Sequence, residues 1–343
     1  MGIIEEDISH ILTHTRHLWY ELRNKKLFLT GGTGLLGKWI LHSFIAANRE
    51  FKLNAQLTVF SRDPDLFLAK YPLFSNLESV YFCRGNVLDN NFPEGKFDYV
   101  IHAATDASAL LNVENPLLML DTIVQGTLNA LKFAKSSNAS RFLLVSSGAV
   151  YGKQPKSILQ ITEDYSGAPD TLDPTTAYGQ GKRIAELLCS IYHKKYGLET
   201  MIARCFAFVG PYLDLNIHFA VGNFIRDAIQ NKEIDILGDG TPLRSYLYTA
   251  DWAIWIWTIL FNGSSCRAYN VGSDSQISIS DLALKVCEIV NQKSKVRIAQ
   301  KPQPNLLPEY YIPSVERAKS ELGLKILIGL DQALCRTIKF YQS

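Results

Sequence analysis

The sequence has few of the features that mark several common classes of protein. Its six cysteines are scattered over 343 residues without a C-x-x-C pair. We therefore expect neither a disulfide scaffold nor a metal site, but buried free thiols in a reducing cytoplasm. No run of lysine and arginine occurs, and the net charge is only +2. Both observations argue against a nucleic-acid partner.

Long apolar segments are also absent. The most hydrophobic run, WAIWIWTILF at 252–261, has ten residues, whereas a membrane span needs about 20. We therefore expect a core or interface helix there and no membrane partner. Residues 1–24 are too acidic and polar for a secretion signal. Their apolar residues recur at helical spacing, which predicts an amphipathic helix lying on the body of the protein.

The first half of the sequence alternates short apolar runs with helical patterns. The runs KLFLTGG, AQLTVFSR, VYFCRGN, YVIHAAT and RFLLVSS are apolar on both faces, as strands of a sheet covered on both sides are. The alternation predicts an α/β fold with a doubly wound parallel sheet. After about residue 170 the pattern loosens, and we expect a smaller α+β lobe. The predicted units are a helical extension at 1–24, the sheet domain at 25–205, and mainly the lobe at 206–343.

Two further helices are predicted in the second half of the chain. They are HFAVGNFIRDAIQ, at 218–230, and SISDLALKVCEIVNQ, at 278–292. Serine is a favoured residue at the start of a helix, so we expect Ser278 or Ser280 to cap the second one.

A glycine-rich segment, TGGTGLLG, follows the first predicted strand and opens an apolar helix. Gly31 permits a tight turn, Gly34 lets backbone N–H groups approach a pyrophosphate, and Gly37 lets helix and strand pack closely. The N–H groups of Leu35 and Leu36 would share the phosphate contact. The segment predicts a dinucleotide cofactor.

The second predicted strand ends where a dinucleotide site usually carries an acid that binds the ribose. Ser61 and Arg62 stand at this place. They suit the 2′-phosphate of NADP, whereas an acid would accept from the 2′-hydroxyl of NAD. The sequence favours NADP, and NAD stays open because Asp63 follows directly.

Two more strand ends supply candidate cofactor contacts. Asn86 and Val87 follow the third strand and are placed to meet an adenine. Ala103, Ala104 and Thr105 follow the fourth strand, where phosphates or a ribose would lie. Ligands of doubly wound sheets bind at the carboxyl ends of the strands.

A serine and a Tyr–Lys pair are the candidate catalytic residues. Ser147 ends the strand in VSSGAVYG, and YGQGK places Tyr178 four residues before Lys182. That spacing stacks the two side chains on one helix face. A cation near a phenol lowers the phenol pKa from about 10. Tyr178 could then take a proton from a sugar hydroxyl as hydride leaves the carbon.

Six segments together resemble one family of enzymes. TGGTGLLG, SSGAVYG, YGQGK, RCFAFVGP, GDGTPLRSYLYTAD and YNVGS span roughly residues 25–275. In this order they resemble the extended short-chain dehydrogenase/reductases of the nucleotide-sugar epimerase/dehydratase family. The resemblance implies a Rossmann domain, a C-terminal substrate lobe and a tightly held NAD or NADP. It also implies a nucleotide-diphosphate sugar as substrate and a homodimer formed by helices.

The resemblance also implies roles for single residues. Ser147 would hydrogen-bond the C4 oxygen of the sugar, Tyr178 would deprotonate it, and Lys182 would tune Tyr178. Arg244 would grip the nucleotide diphosphate, for which a guanidinium is suited. Asn223 falls where contacts to the substrate phosphate or sugar usually lie.

The chain departs from the family pattern in two places. Ile123, in IVQGT, replaces a common asparagine, so one cofactor or helix-bridging contact is missing or replaced. Gly148 and Ala149 follow Ser147, where 4,6-dehydratases of the family usually carry at least one acid. Neither side chain can move a proton.

These departures favour one reaction over its relatives. A 4-epimerase needs only the serine, the tyrosine, the lysine and the cofactor, and we expect that activity. A 4,6-dehydratase and a 4-ketoreductase are the alternatives, and a non-catalytic cofactor-binding scaffold is a fourth. Glu163, Asp164 and His102 are conceivable proton carriers, but we interpret the two acids as a solvated loop and the histidine as structural.

Overall fold

The structure is a computed structural model that describes residues 2–89, 91–105, 109–216, 220–290, 295–303 and 307–342. Its strands are β1 (Lys26–Thr30), β2 (Gln56–Ser61), β3 (Val80–Arg84), β4 (Tyr99–His102), β5 (Arg141–Ser147), β6 (Glu199–Cys205), β7 (Phe208–Val209), β8 (Ile234–Ile236), β9 (Leu243–Arg244), β10 (Leu247–Tyr248), β11 (Arg267–Val271), β12 (Ile277–Ser278), β13 (Val296–Ile298) and β14 (Tyr310–Tyr311). Its α-helices are α1 (Ile3–Thr15), α2 (Leu35–Glu50), α3 (Pro64–Lys70), α4 (Ala109–Glu114), α5 (Pro116–Ser136), α6 (Ala177–Tyr196), α7 (Ala220–Ile229), α8 (Thr249–Asn262), α9 (Ile279–Val290), α10 (Glu316–Leu322) and α11 (Leu330–Gln342). Short 3-10 helices cover Trp19–Leu22, Pro72–Phe74, Gly148–Tyr151 and Pro174–Thr176.

The main sheet confirms the predicted doubly wound α/β fold. Its strands lie in the order β3-β2-β1-β4-β5-β6-β11, and all neighbours are parallel. The chain leaves β1 toward β2 and β3 and then returns to β4 on the other side. This reversal opens a crevice at the carboxyl ends of β1 and β4. The last strand, β11, comes from the part of the chain after residue 205.

Both faces of the sheet are buried, because successive strand residues point to opposite sides. Leu27 and Leu29 of β1 belong to one core cluster with residues of α2 and α8. Phe28 belongs to a second cluster with residues of α5 and α6. The apolar character of the strands on both faces, seen in the sequence, follows from this double cover.

The tryptophan-rich helix α8 lies in the core, as predicted. Every residue from 249 to 261 is buried. Trp257 Nε1 donates to Ser43 Oγ at 2.8 Å, and Trp255 Nε1 donates to the carbonyl of Lys325 at 3.1 Å. These two buried indoles of α8 are thus paired, as most buried polar groups are. Among the described residues, none of the helices combines the length and the apolar character that crossing a membrane requires.

The C-terminal part adds small sheets and helices beside the main sheet. One of these sheets has the order β12-β9-β14, and its parallel β9–β14 pair sets Arg244 opposite Tyr311. Asp281 N donates to Ser278 Oγ at 3.0 Å, so Ser278 rather than Ser280 caps α9. Of the two helices predicted there, residues 218, 219, 291 and 292 lie outside the described residues.

The cysteines are free, but not all of them are buried. Cys189, Cys205 and Cys287 are buried, whereas Cys266 and Cys335 are exposed. Cys266 stands in a turn before β11 and Cys335 on the outer face of α11. The expectation of buried thiols is therefore wrong for these two.

The N-terminal helix is tied to the rest of the protein by buried charges. It contacts α8, α2 and α11. Asp7 is fully buried and accepts hydrogen bonds from Tyr248 and Arg336. His10 Nε2 lies 2.9 Å from Asp251 Oδ1. Residues from the first and last helices of the chain thus share one polar cluster.

We expect Asp7→Ala to destabilise the fold. It would leave Arg336 and the buried Tyr248 hydroxyl without their acceptor, which should lower the free energy of unfolding by about 3 kcal/mol. Urea denaturation measures this change. Ser9→Ala, at an exposed position of the same helix, is the control and should change the value by less than about 0.5 kcal/mol. Equal effects of both variants would contradict the assignment of Asp7.

Candidate active site

The glycine segment turns directly against the end of β4. Gly31 has a φ of +74°, and a Cβ there would lie 2.6 Å from the carbonyl carbon of Ala103. A Cβ on Gly37 would lie 2.4 Å from the backbone of Gly32. Any side chain at these two positions would push the turn, the strand and the helix apart. The spacing of the glycines therefore has a steric cause in this fold.

The N-terminus of α2 is open toward the crevice. Gly34 is its N-cap and has no side chain to accept from the first turn. The N–H groups of Leu35, Leu36 and Gly37 lie in that first turn, where an α-helix has no internal acceptors for them. Together with the helix dipole, they fit the pyrophosphate of a dinucleotide.

At the end of β2, the nearest acid, Asp63, is engaged by other groups of the chain. Ser61 Oγ lies 3.3 Å from Thr33 Oγ1, and Arg62 is exposed. Asp63 accepts from the first turn of α3 and lies 3.3 Å from Arg84. Asp63, whose presence left NAD as an alternative cofactor, thus caps a helix and forms an ion pair.

The segment after β3 is held by local hydrogen bonds and by α5. Asn86 Oδ1 accepts from Leu88 N at 3.1 Å. The Val87 side chain is buried and packs so closely on α5 that a Cβ on Gly126 would lie 2.9 Å from it. Asn129 Nδ2 donates to the carbonyl of Val87 at 3.0 Å. Val87 is therefore a core residue whose backbone is fixed beside the crevice.

The end of β4 is held by a buried threonine and histidine. Thr30 Oγ1 accepts from Ala104 N at 3.2 Å and lies 2.8 Å from His102 Nδ1. Burial lowers the pKa of His102 to about 3. The His102 ring is thus neutral. It contacts the Thr30 hydroxyl that holds the backbone of Ala104, which supports a structural role for His102.

Lys182 links two of the predicted strand ends. Its Nζ donates to Thr105 Oγ1 and to the carbonyl of Val145, both at 2.8 Å. An ammonium group has three protons, so one remains for a further acceptor such as a ribose hydroxyl. Burial lowers the pKa of Lys182 to about 8.

Ser147 and Tyr178 meet at the end of β5. Ser147 is the last residue of that strand, and Tyr178 is the second residue of α6. Burial raises the pKa of Tyr178 to about 12, although a hydrogen bond with Ser147 acts in the other direction. This differs from the expected lowering by Lys182. The Lys182 Nζ is 5.8 Å from the centre of the Tyr178 ring, and burial penalises the phenolate.

A residue that the sequence analysis missed holds Tyr178 in place. Asn112, on α4, accepts from Tyr178 N at 3.0 Å and donates to the carbonyl of Thr175. It thereby closes the first turn of α6. No local signal distinguishes it from Asn115, which caps the neighbouring helix α5. Only the packing of α4 against α6 reveals its role.

The two positions after Ser147 carry no acid, and at Gly148 no side chain fits. A Cβ on Gly148 would lie 2.7 Å from both Phe206 Cζ and the Tyr311 hydroxyl. Ala149 N donates to Ser147 Oγ at 3.2 Å. Tyr311 was also missed, since it stands far along the chain outside any motif.

Ile123, the residue in IVQGT that departs from the family pattern, makes an apolar contact between two helices. Ile123 is buried and packs against α6, where a Cβ on Gly181 would lie 3.1 Å from it. A side chain without hydrogen-bonding groups thus joins the two helices at the position where the family resemblance led us to expect an asparagine. The replaced contact is a helix–helix packing contact.

Of the two acids in the ITED segment, Asp164 is solvated as expected and Glu163 is not. Glu163 has a side chain that is 3% exposed, and it accepts from Asn270 N at 2.8 Å. Asp164 is exposed and pairs with Arg317 at 2.6 Å. The interpretation of Glu163 as solvated is therefore wrong, because its carboxylate satisfies a buried backbone N–H.

The two predicted substrate residues lie in the C-terminal part. Arg244 Nη1 donates to the carbonyls of Leu243 and Glu309, at 2.9 and 3.3 Å. Arg244 also acts electrostatically on Tyr311, which connects it with the end of β5. Asn223, on α7, accepts from Arg226 at 3.2 Å. None of its described hydrogen bonds reaches the candidate residues Ser147, Tyr178 or Lys182.

Comparisons with known proteins bear on the family and the fold. UDP-glucuronic acid decarboxylase 3 of Arabidopsis thaliana is 30% identical over 311 residues, which cover 91% of this chain and 87% of that protein. The structure of a UDP-N-acetylglucosamine 4-epimerase from Methanobrevibacter ruminantium, in complex with UDP-N-acetylmuramic acid, has a TM-score of 0.80 and 20% identity over 93% of this chain and 99% of that one. The dTDP-glucose 4,6-dehydratase DesIV from Streptomyces venezuelae, with NAD and TYD bound, has a TM-score of 0.78 and 22% identity over 92% of this chain and 97% of that one. The sequence pattern of the NAD dependent epimerase/dehydratase family matches residues 27–272, and the chain therefore belongs to this family of NAD-dependent nucleotide-sugar enzymes.

Proposed function

We propose that this protein is a 4-epimerase of nucleoside-diphosphate hexoses that acts by transient oxidation at C4. The observation that carries the proposal is the combination of Ser147, Tyr178 and Lys182 with the two positions that follow the serine. Gly148 has no side chain and no space for one, and Ala149 offers only a methyl group. The chain thus has the three side chains that oxidation and reduction at C4 require. It has no acid at positions 148 and 149, where the family's dehydratases usually carry one to eliminate water.

The chain's own residues would act on the C4 hydroxyl. Ser147 donates a hydrogen bond to the C4 oxygen, and Tyr178 takes the hydroxyl proton and later returns it. Lys182, with one proton unused by Thr105 and Val145, offsets the negative charge that forms on Tyr178. A bound NAD(P) would accept the hydride from C4 and return it to the ketone.

The contacts of the three other candidate proton carriers argue against a 4,6-dehydratase. That reaction requires an acid for the leaving 6-hydroxyl and a base for the C5 proton. Glu163 accepts a hydrogen bond from the backbone N–H of Asn270, and Asp164 accepts one from Arg317. His102 is neutral and is held by Thr30.

A second candidate is a decarboxylase of nucleoside-diphosphate hexuronates, which the Arabidopsis relative favours. Oxidation of C4 in a hexuronate produces a β-keto acid. The bond from C5 to the carboxyl carbon then breaks, CO₂ leaves, and the enolate takes a proton at C5. A bound cofactor would then return the hydride to C4, which restores the cofactor for the next turnover. This route needs no carboxylate base, so the same three residues suffice and the substrate decides between the two reactions.

For the cofactor we propose a preference for NADP over NAD. Arg62 is exposed beside Ser61, while Asp63 caps α3 and faces Arg84. A free guanidinium suits a 2′-phosphate, and no free acid is left there to repel it. NAD is the alternative, and it is the cofactor bound in DesIV.

For the substrate and assembly we propose two further features. Arg244 holds the diphosphate, and Asn223 is a weaker candidate because it is hydrogen-bonded to Arg226. The chain forms a homodimer through α4, α5 and α6. These helices expose large apolar side chains at Leu110, Val113, Leu117, Leu118, Ile184, Leu187 and Ile191. A second copy of the same surface would bury them.

Turnover of a panel of sugar nucleotides tests the proposed reaction. The purified protein is incubated with UDP-, dTDP-, GDP- and CDP-hexoses and with UDP-glucuronate, without added cofactor, and the products are identified by NMR. We expect a C4 epimer with an intact C6. Release of CO₂ from UDP-glucuronate alone would establish the decarboxylase instead.

Three other results of the same panel would contradict both reactions. A 4-keto-6-deoxy product would show a dehydratase. Turnover only of 4-keto sugars with stoichiometric NADPH would show a ketoreductase. No turnover, with no difference between the wild type and Tyr178→Phe, would favour a non-catalytic scaffold.

We expect Asn112→Ala to reduce turnover more than stability. The variant loses a helix-capping contact, which costs about 1 kcal/mol of folding stability, but it also frees the backbone that carries Tyr178. We expect kcat to fall about tenfold with KM nearly unchanged, because an interaction that matters mainly in the transition state is disturbed. Asn115→Ala loses a similar cap on α5 and is the matched control. Equal kcat values in the two variants would contradict a positioning role for Asn112.

We expect Arg62→Ala to change the cofactor preference. Loss of a charged hydrogen-bond donor should weaken NADP binding about tenfold or more, whereas NAD binding, which lacks the phosphate, should be unchanged. Titration of protein fluorescence with each cofactor measures both affinities in one variant. Equal weakening of both cofactors, or co-purification of NAD alone as seen by mass spectrometry, would contradict the preference for NADP.

A further inference from the structure

Tyr212 has a strained backbone conformation directly after Gly210 and Pro211. Its φ is +68°, in the left-handed region that a bulky residue adopts only where its surroundings hold it there. It is the first residue of 212–216, a stretch that lies between β7 and α7 in the chain and that we call the linking segment. The local cost at Tyr212 has to be offset by the contacts that its side chain makes.

The side chain of Tyr212 packs against the first two turns of α2. Its hydroxyl lies 2.9 Å from His42 Nε2, and the two rings are stacked with 5.7 Å between their centres. The Lys38 ammonium lies 5.5 Å from the centre of the Tyr212 ring, within the range of a cation–π interaction. Tyr212 thereby fastens the linking segment to the helix whose N-terminus faces the crevice.

The hydrogen bond between Tyr212 and His42 joins two uncharged groups. Burial, together with the nearby Lys38 ammonium, lowers the pKa of His42 to about 4. Burial also raises the pKa of Tyr212 to about 12. A neutral imidazole has one nitrogen that accepts, and a neutral phenol can donate to it. The contact is therefore available throughout the neutral pH range.

The linking segment in turn holds the helix α7. Arg226 Nη1 donates to the carbonyl of Leu215 in that segment and to Asn223 Oδ1, both at 3.2 Å. From the C-terminal helix, the Tyr341 hydroxyl donates to the carbonyl of Leu213. The side chain of Asn223, a proposed substrate contact, is thus oriented by an arginine that also binds the linking segment.

We propose that Tyr212 is a positioning residue that fixes the linking segment, and with it Asn223, against α2. The proposal rests on the proposed function, in which Asn223 contacts the nucleotide sugar and α2 binds the cofactor pyrophosphate. The connection runs from His42 on α2 through Tyr212 and the linking segment to Arg226 and Asn223. The substrate-binding side chain is thereby held in a fixed relation to the cofactor helix.

Loss of the contact between Tyr212 and His42 should weaken substrate binding without changing the chemical step. None of the hydrogen bonds described for Ser147, Tyr178 and Lys182 involves the linking segment. An interaction made equally in the ground state and the transition state affects KM alone. A residue that only stabilised the fold would instead reduce the amount of active protein, which lowers the apparent kcat and leaves KM unchanged.

The test uses Tyr212→Phe, which keeps the ring on α2 and removes only the hydroxyl. Tyr71→Phe is the matched control. The Tyr71 ring also lies against Lys38, with 4.9 Å from Nζ to the ring centre, but within the described part of the chain its hydroxyl has no hydrogen bond. Values of KM and kcat are measured for the nucleotide sugar that the wild-type protein turns over.

We expect Tyr212→Phe to raise KM about fivefold with kcat changed by less than about twofold, and Tyr71→Phe to change neither. His42→Phe removes the other partner of the same hydrogen bond and should raise KM by a similar factor. The double variant should raise KM no further, because both substitutions remove one shared bond. It also leaves neither group unpaired, so it supplies a KM value even if a single variant folds poorly.

Three results would overturn the inference alone. The first is an unchanged KM in Tyr212→Phe, with or without a lower apparent kcat. The second is an equal rise of KM in Tyr71→Phe, and the third is a pair of effects from Tyr212→Phe and His42→Phe that multiply in the double variant. Failure of every nucleotide sugar to react with the wild-type protein would instead overturn the proposed function, and this inference with it. The wild-type panel therefore distinguishes the two failures.

Discussion

The parallel pairing of β1 with β4 is the contact on which the candidate site depends. It places the end of β1 against the end of β4, where Gly31 lies so close to Ala103 that no side chain fits between them. That approach brings the open N-terminus of α2 to the crevice. It also sets Thr30 beside His102 and Ala104, which fixes the backbone leading to Thr105. Without this pairing, the proposed phosphate-binding residues and the proposed catalytic residues would not lie in one crevice.

The groups proposed as catalytic are connected to one another along the carboxyl edge of the sheet. Thr105, at the end of β4, accepts from Lys182, and Lys182 also donates to the strand β5 that carries Ser147. Each group is thus held by its neighbour on the next strand. The arrangement is largely buried, which explains why the pKa of Tyr178 is raised and that of Lys182 is lowered. Burial disfavours the charged form of both.

The second half of the chain completes the site rather than forming a separate body. Strand β11 extends the main sheet, and α8 covers one face of it. The small sheet β12-β9-β14 then brings Arg244 and Tyr311 side by side toward the end of β5. The predicted domain boundary at residue 205 separates the motifs along the chain. In the structure, elements from both sides of residue 205 pack together in one core. The N-terminal helix also contacts the C-terminal part, because Asp7 is paired with Arg336 in the last helix.

The sequence by itself predicted a doubly wound parallel sheet, and it singled out the serine, tyrosine and lysine proposed as catalytic. These depend on local signals, namely apolar runs, glycines at spacing three and a helical Tyr–Lys spacing, which act over a few residues. It did not determine the ionisation of Tyr178, because burial depends on the whole fold, nor that Glu163 is buried. Asn112 and Tyr311 could not be found either. Their roles follow from contacts between segments 66 and more than 150 residues apart in the chain, and only the tertiary structure brings such segments together.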